Sequence, residues 1–253
     1  MPRCSNCWAI ILFFCSCASV FHRESDFERG LALYNDKQYT EAIRYFTAHH
    51  SKFPESDSTL YYLFNCYKHL DKPEEQIATL EKLADRGVND ENVYLNLVYY
   101  YRKYRRLKDL YALLSNCSPS MTGNLDKNFA LTRKLLAEII CGATGKTVTT
   151  DPMIYSISKG YLPLFPDGQL YAEDTLTNAN LVILLDRLLK PDYPRNLYPM
   201  KNITTKSYLY LPYMRLVDGA IMKFDPYLAP SDPARVSVAV EAIKAAATRG
   251  TFD

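Results

Sequence analysis

Imidazole is scarce and unevenly placed, since the four histidines, His22, His49, His50 and His69, all precede residue 70. The C-terminal half therefore lacks the base for Ser-His or Cys-His catalysis and any histidine for a metal. His49 and His50 are adjacent, point to different faces of a helix, and have no His or carboxylate at HExxH spacing. Charge of one sign is lacking too. The 30 Lys and Arg against 28 Asp and Glu leave +2, too little for the phosphate attraction of a dedicated nucleic-acid binder. With 9 Gly and 14 Pro in 253 residues, 48% of them hydrophobic, disordered and collagen-like chains are excluded.

Other chemistry is missing by spacing. Cys4 and Cys7 form a C-x-x-C, but no second pair follows at zinc spacing, and Cys66, Cys117 and Cys141 are scattered. Gly145-Lys146-Thr147 ends like a phosphate loop, yet the required first glycine would fall at Ile140, and a helix precedes the run. Asp167 with Glu173 or Asp174 offers a carboxylate pair, but these residues belong to a turn and a helix cap. No metal, no cofactor and no catalytic residue is expected.

The N-terminus carries a different signal. After Arg3 the run from Trp8 to Phe14 is wholly apolar, and its roughly 7 residues fall short of the ~20 that span a bilayer. It ends in Phe14-Cys15-Ser16-Cys17-Ala18, which resembles a relaxed bacterial lipobox. The resemblance implies export, acylation of Cys17 and a membrane anchor through its lipid; Cys15 fits less well because Phe14 precedes it. Residues 1–17 are then the signal and 18–24 a tether. A mature chain beginning at Cys17 has three further thiols, an odd number that completes no disulfide framework, and Cys66 and Cys141 read as buried thiols.

Between residues 25 and 141 the chain repeats itself. A period of 34 brings Phe46, Leu80 and Leu114 into register, with Ile43, Ile77 and Tyr111, and Gly30 with Phe64 and Val98. Gly30, Tyr34, Tyr39, Ala42, Phe46 and Pro54 in the first copy resemble the tetratricopeptide repeat, whose pairs of amphipathic helices stack into a solenoid. A last apolar helix from Phe129 to Ile140 is expected to cap the stack. In the family the first helix of each pair lines a concave side. The resemblance thus implies a groove of Phe27, Leu31, Tyr34, Tyr61, Asn65, Lys68, Leu95, Tyr99, Arg102 and Lys103. Asn65 would bond an extended peptide, and Lys68, Arg102 and Lys103 would meet a carboxylate or acidic segment. The alternative is ordinary packing with a solvated basic helix end.

Residues 142–151, with Gly142, Gly145 and several threonines, read as a linker between self-packed domains. Beyond it a second self-similarity has an offset of 58: Asp167 with Asp225, Leu170 with Leu228, Asp174 with Asp232, Val182 with Val240, Leu185 with Ile243. Short helices are expected at Met153–Lys159 and Tyr208–Val217, and longer ones at Asn178–Leu189 and Arg235–Ala247. Gly160, the turn Phe165-Pro166-Asp167-Gly168 and the stretch Asp174-Thr175-Leu176-Thr177 resemble the S-layer homology repeat. Gly168 should supply a positive φ there. The family implies attachment to the cell wall through the Arg of a T-R-A-E stretch. Here that stretch is Thr177-Asn178-Ala179-Asn180, then Arg235-Val236-Ser237-Val238, so wall contact falls on Asn178, Asn180 and Arg235.

The expectation is therefore a mainly α protein: a tetratricopeptide solenoid over 25–141 and a small, mostly helical S-layer-homology-like domain of two repeats over 152–253. Its expected function is a non-enzymatic scaffold or adaptor of the bacterial cell envelope, facing the periplasm. It would bind a protein or peptide in the groove and a peptidoglycan-linked polymer through the second domain, and no nucleic acid. The alternatives are an accessory subunit of a cell-wall enzyme, or of outer-membrane assembly or export machinery; soluble secretion replaces anchoring if Cys17 is not acylated.

Overall fold

The computed structural model describes residues 25–252. The segment expected to be an export signal, with Cys15 and Cys17, Trp8 and His22, lies outside them. The described chain is mainly α-helical with no named strand and packs in a repeat-like manner. Six helices form the first part: α1 (Asp26–Asn35), α2 (Tyr39–Lys52), α3 (Asp57–His69), α4 (Pro73–Asp85), α5 (Glu91–Lys103) and α6 (Leu107–Asn116). Each packs on the next in order, as in an α-solenoid.

Local chemistry sets these elements. Ser25 and Glu28 form a reciprocal capping box that starts α1. At the three corners inside the pairs, Lys37, Asp71 and Arg105 adopt left-handed backbone, with φ of 60°, 51° and 55°. Behind them Gln38 N donates to Leu33 O, Lys72 N to Tyr67 O and Arg106 N to Tyr101 O. This is one helix-ending motif built three times at the 34-residue period. The registered side chains Phe46, Leu80 and Leu114 are buried, as are Gly30, Phe64 and Val98. A Cβ on Gly30 would stand 2.8 Å from the Phe46 ring, so glycine lets α1 approach α2 closely. Cys66 and Cys141 are buried free thiols.

The second part contains α7 (Pro119–Asn128), α8 (Arg133–Ala143), α9 (Pro152–Ser158), α10 (Asn178–Leu189), α11 (Tyr210–Asp218) and α12 (Val236–Ala247). They form three units of helix, connection and helix, not two. Buried Leu131, Leu176 and Ala234 meet at the centre, where Leu176 N donates to Leu131 O and Ala234 N to Leu176 O, both at 2.8 Å. The second helix of each unit leans on the next unit. Arg133 N and Lys134 N donate to Asp174 O and Ala172 O, and Asn178 N and Ala179 N donate to Asp232 O and Pro230 O. Ser237 N closes the circle on the Asp126 carboxylate at 2.8 Å. Correspondingly α8 packs on α9, α10 on α11 and α12 on α7.

The expected continuous helix from Phe129 to Ile140 is corrected. Phe129 is the extended C-cap of α7, Thr132 is the N-cap of α8, and Arg133 is the first residue of the new helix. Thr132 accepts from Leu135 N just as Thr177 accepts from Asn180 N at the start of α10. The offset turns also match, with Asp167 Oδ1 accepting from Gln169 N and Asp225 Oδ1 from Tyr227 N. Gly168 has the expected positive φ, 73°. In the last unit the left-handed residue is Ala220 rather than Gly219.

Residues 142–151 do not separate two self-packed halves. Gly142 lies inside α8, where a Cβ would stand 2.2 Å from Leu107 O of α6, and Arg105 donates to the carbonyls of Thr149 and Thr150. Lys244 of α12 reaches Ser115 O at 2.9 Å. One apolar core runs through both parts. The reason is α8, which packs against α6 on one side and α9 and α12 on others.

Candidate functional site

The expected groove residues divide into those committed inside the protein and those left at its surface. Tyr61 donates its hydroxyl to Asp90 Oδ2 at 2.6 Å, and Asp90 also caps α5 through Asn92 N. Burial, then this bond, pushes the Tyr61 phenol above its usual range, while the same bond holds the Asp90 carboxyl below its own. Asn65 gives its amide hydrogen to Tyr61 O of its own helix at 2.9 Å. Arg102 donates through Nε to Glu138 Oε2 on α8 at 2.5 Å. Arg106, from the same basic run, binds Glu81 at 2.8 Å and Asp109 at 2.6 Å. Arg102 and Arg106 are therefore held by carboxylates of the protein itself.

Three groove residues stay outward. Tyr99 is 55% exposed, and the ammonium of Lys103 lies 5.8 Å from its ring centre and 5.3 Å from that of Tyr104. Lys68 is exposed at the end of α3.

The residues expected at the wall are also split. Asn178 and Arg235 line one cleft of about 610 Å³, with Phe224 and Tyr227 as aromatic walls. Asn178 Nδ2 is spent on Ala229 O, whereas Arg235 is exposed at the N-cap of α12 and makes no capping bond. Beneath them buried Tyr213 fixes the turn, its hydroxyl accepting from Asp225 N at 2.7 Å and donating to Lys223 O at 3.1 Å. Asn180 belongs elsewhere: its Oδ1 accepts from Thr177 N in a capping box, and it borders a second cleft of about 520 Å³.

Two buried charged residues were not singled out from sequence. Arg133 is 3% exposed; its Nε donates to Leu170 O at 3.1 Å, its Nη2 to Pro163 O at 2.8 Å, and its guanidinium lies 4.4 Å from the Phe165 ring centre. Glu138 is 5% exposed, and burial pushes its carboxyl upward against the opposing pull of Arg102. Thr132-Arg133 carried a signal, a capping residue followed by a basic one, but the helix read from Phe129 placed both in its interior.

At these sites the exposed groups are the rings of Tyr99 and Tyr227, the guanidinium of Arg235 and the turn carboxylate of Asp167. Asp167 takes the Tyr171 hydroxyl at 2.5 Å, and that bond holds its carboxyl below the usual range, which suits an ionised acceptor rather than a general acid. Among the described residues no three His, Cys, Asp or Glu are grouped to hold a metal, and no helix is long and apolar enough to cross a membrane. Comparison with protein families, curated proteins and solved structures finds no match to the chain.

Proposed function

We infer that this chain is a non-enzymatic adaptor of the bacterial cell envelope, with α1–α6 acting as three tetratricopeptide-like pairs. The observation that carries the reading is the exposed pair of Tyr99 and Lys103 on the first helix of the third pair, with Lys68 exposed in the last turn of the first helix of the second. The recurrence of one backbone corner at the 34-residue period supports the solenoid assignment. An aromatic and cationic patch suits an acidic or C-terminal peptide, because ammonium groups meet carboxylates while tyrosine rings bury apolar atoms at low entropic cost. Anchoring through an acylated Cys17 would hold the adaptor at a membrane surface.

The three-unit ring supports an S-layer-homology-like reading of the C-terminal part, with wall contact in the polar cleft of Asn178 and Arg235. The test combines two variants. Lys68→Glu with Lys103→Glu should reduce crosslinked protein partners by about tenfold or more while leaving sedimentation with purified peptidoglycan unchanged. Arg235→Glu should do the converse. If neither variant changes either readout, the adaptor reading is wrong.

A further inference from the structure

The three-unit ring places two clefts in equivalent positions, and their chemistry has diverged. In the polar cleft, α12 presents Ser237 and Glu241; at the equivalent places in the other, α10 presents Ala179 and Ile183. The opposite wall is Pro163 and Phe165, and Tyr208, 76% exposed, stands at the mouth. Where the polar cleft has Asn178, this one has Arg133. A pocket of this size, mainly apolar, with buried Arg133 and the exposed rim residue Asp174 as its charged groups, is the form in which proteins hold small molecules.

Arg133 is the unusual element. It is 97% out of solvent by its 3% exposure, two of its nitrogens bind carbonyls, and no ion pair joins it to a carboxylate among the described residues. Asp174 on the rim favours its charge electrostatically but makes no salt bridge with it. A buried guanidinium without a counter-ion is costly, and a carboxylate entering the cleft would supply a charge-assisted partner. Its remaining nitrogen, Nη1, forms no hydrogen bond among the described residues, and the residue lines the cleft. The exposed Tyr208 and Phe165 would be covered by the apolar body of the same ligand.

The geometry points to a binding site for an amphipathic monocarboxylate, an acyl chain seated along Ala179, Ile183 and Phe165 with its carboxylate on Arg133. The site is separate from the peptide patch and from the polar cleft, so it stands whether or not the adaptor reading does. The ligand class is set by the apolar wall of Pro163, Phe165, Ala179, Ile183 and Leu184, which an acyl chain covers and a sugar ring does not.

Titration calorimetry of the full chain with octanoate, octanol and glucuronate tests it. Octanoate should bind once and saturably, octanol about tenfold or more weaker for want of the charge, and glucuronate not at all. Ala179→Phe, which fills the cleft, should abolish octanoate binding, and Tyr208→Ala should weaken it severalfold without affecting folding. Arg133→Gln should equalise octanoate and octanol; because it also releases two loop carbonyls, Ala179→Phe is the decisive variant. Equal affinity of octanoate and octanol, binding of glucuronate in place of octanoate, no octanoate binding, or octanoate binding that survives Ala179→Phe would each overturn the assignment.

Discussion

Arg102 of α5 and Glu138 of α8, 36 residues apart, form the ion pair that fastens the helix-pair array to the C-terminal ring. Glu138 is nearly buried, while Arg102 keeps about a quarter of its side chain in solvent. Removing the arginine leaves a carboxyl enclosed without its partner. Arg102→Ala should therefore cost about 2 kcal/mol, below the range for fully buried pairs because Arg102 is partly solvated. Glu138→Gln should cost less, and denaturant unfolding of both variants checks the order.

The same pair sets a pH dependence. The Glu138 carboxyl is raised above its ordinary 4.5 in the folded state, so the folded protein holds this proton longer than the unfolded chain. Its contribution is thus greatest below the unfolded value and declines as pH rises through the folded one. Arg102→Ala removes the main opposing attraction and extends that decline to higher pH. Unfolding midpoints from pH 4 to 7 should fall more steeply with pH in the variant than in the parent; parallel profiles would mean that Glu138 does not titrate there.

Gly142→Ala is expected to destabilise by about 3 kcal/mol, because the added methyl meets the backbone carbonyl of Leu107, which cannot yield without shifting α6. Gly30→Ala should cost less, since what it meets is the Phe46 ring, a side chain able to turn. Thermal melts of the two variants side by side decide whether backbone or side-chain contact matters more.

The left-handed corners offer the opposite sign. Asp71→Gly should raise stability by about 0.5 to 1 kcal/mol by relieving the strain of a side chain at positive φ. Arg105→Gly should gain less or lose, because Arg105 also holds the carbonyls of Thr149 and Thr150. Equal gains at both sites would show that those two bonds contribute nothing.

Limited proteolysis between residues 142 and 151 should not release two stable fragments, because α8 packs on both parts and Lys244 bonds to Ser115 O. A single cooperative unfolding transition is expected. Asp126→Ala, which removes both bonds to Ser237, should lower its midpoint by several degrees, corresponding to about 1 to 2 kcal/mol.

The array was legible because its chemistry repeats at a constant period: Phe46, Leu80 and Leu114 need no gap to align, and their burial follows from that register. Two ring units were legible through Asp167 and Asp225, whose turns depend on local residues alone. The third was not. Its N-cap Thr132 precedes Thr177 by 45 residues, whereas Arg235 follows Thr177 by 58, so no single offset superposes all three. The groove failed differently. Helical spacing groups Tyr61 with Asn65, and Tyr99 with Arg102, on one face of each helix, but whether a polar group faces solvent depends on what a distant segment brings to it. For Arg102 that is Glu138, 36 residues away.

Because α8 seals the last pair of the array while serving as one spoke of the ring, the two ends of the solenoid are not equivalent for change. Inserting a further 34-residue pair after α6 would have to break the contact at Gly142 and the Arg102–Glu138 fastening together. Added ahead of α1, a pair would meet no such obstacle from the ring. Any drift in copy number among descendants of this chain would then have a direction, with the helix-pair array growing or shrinking from one side while the clefts of the ring stay as they are.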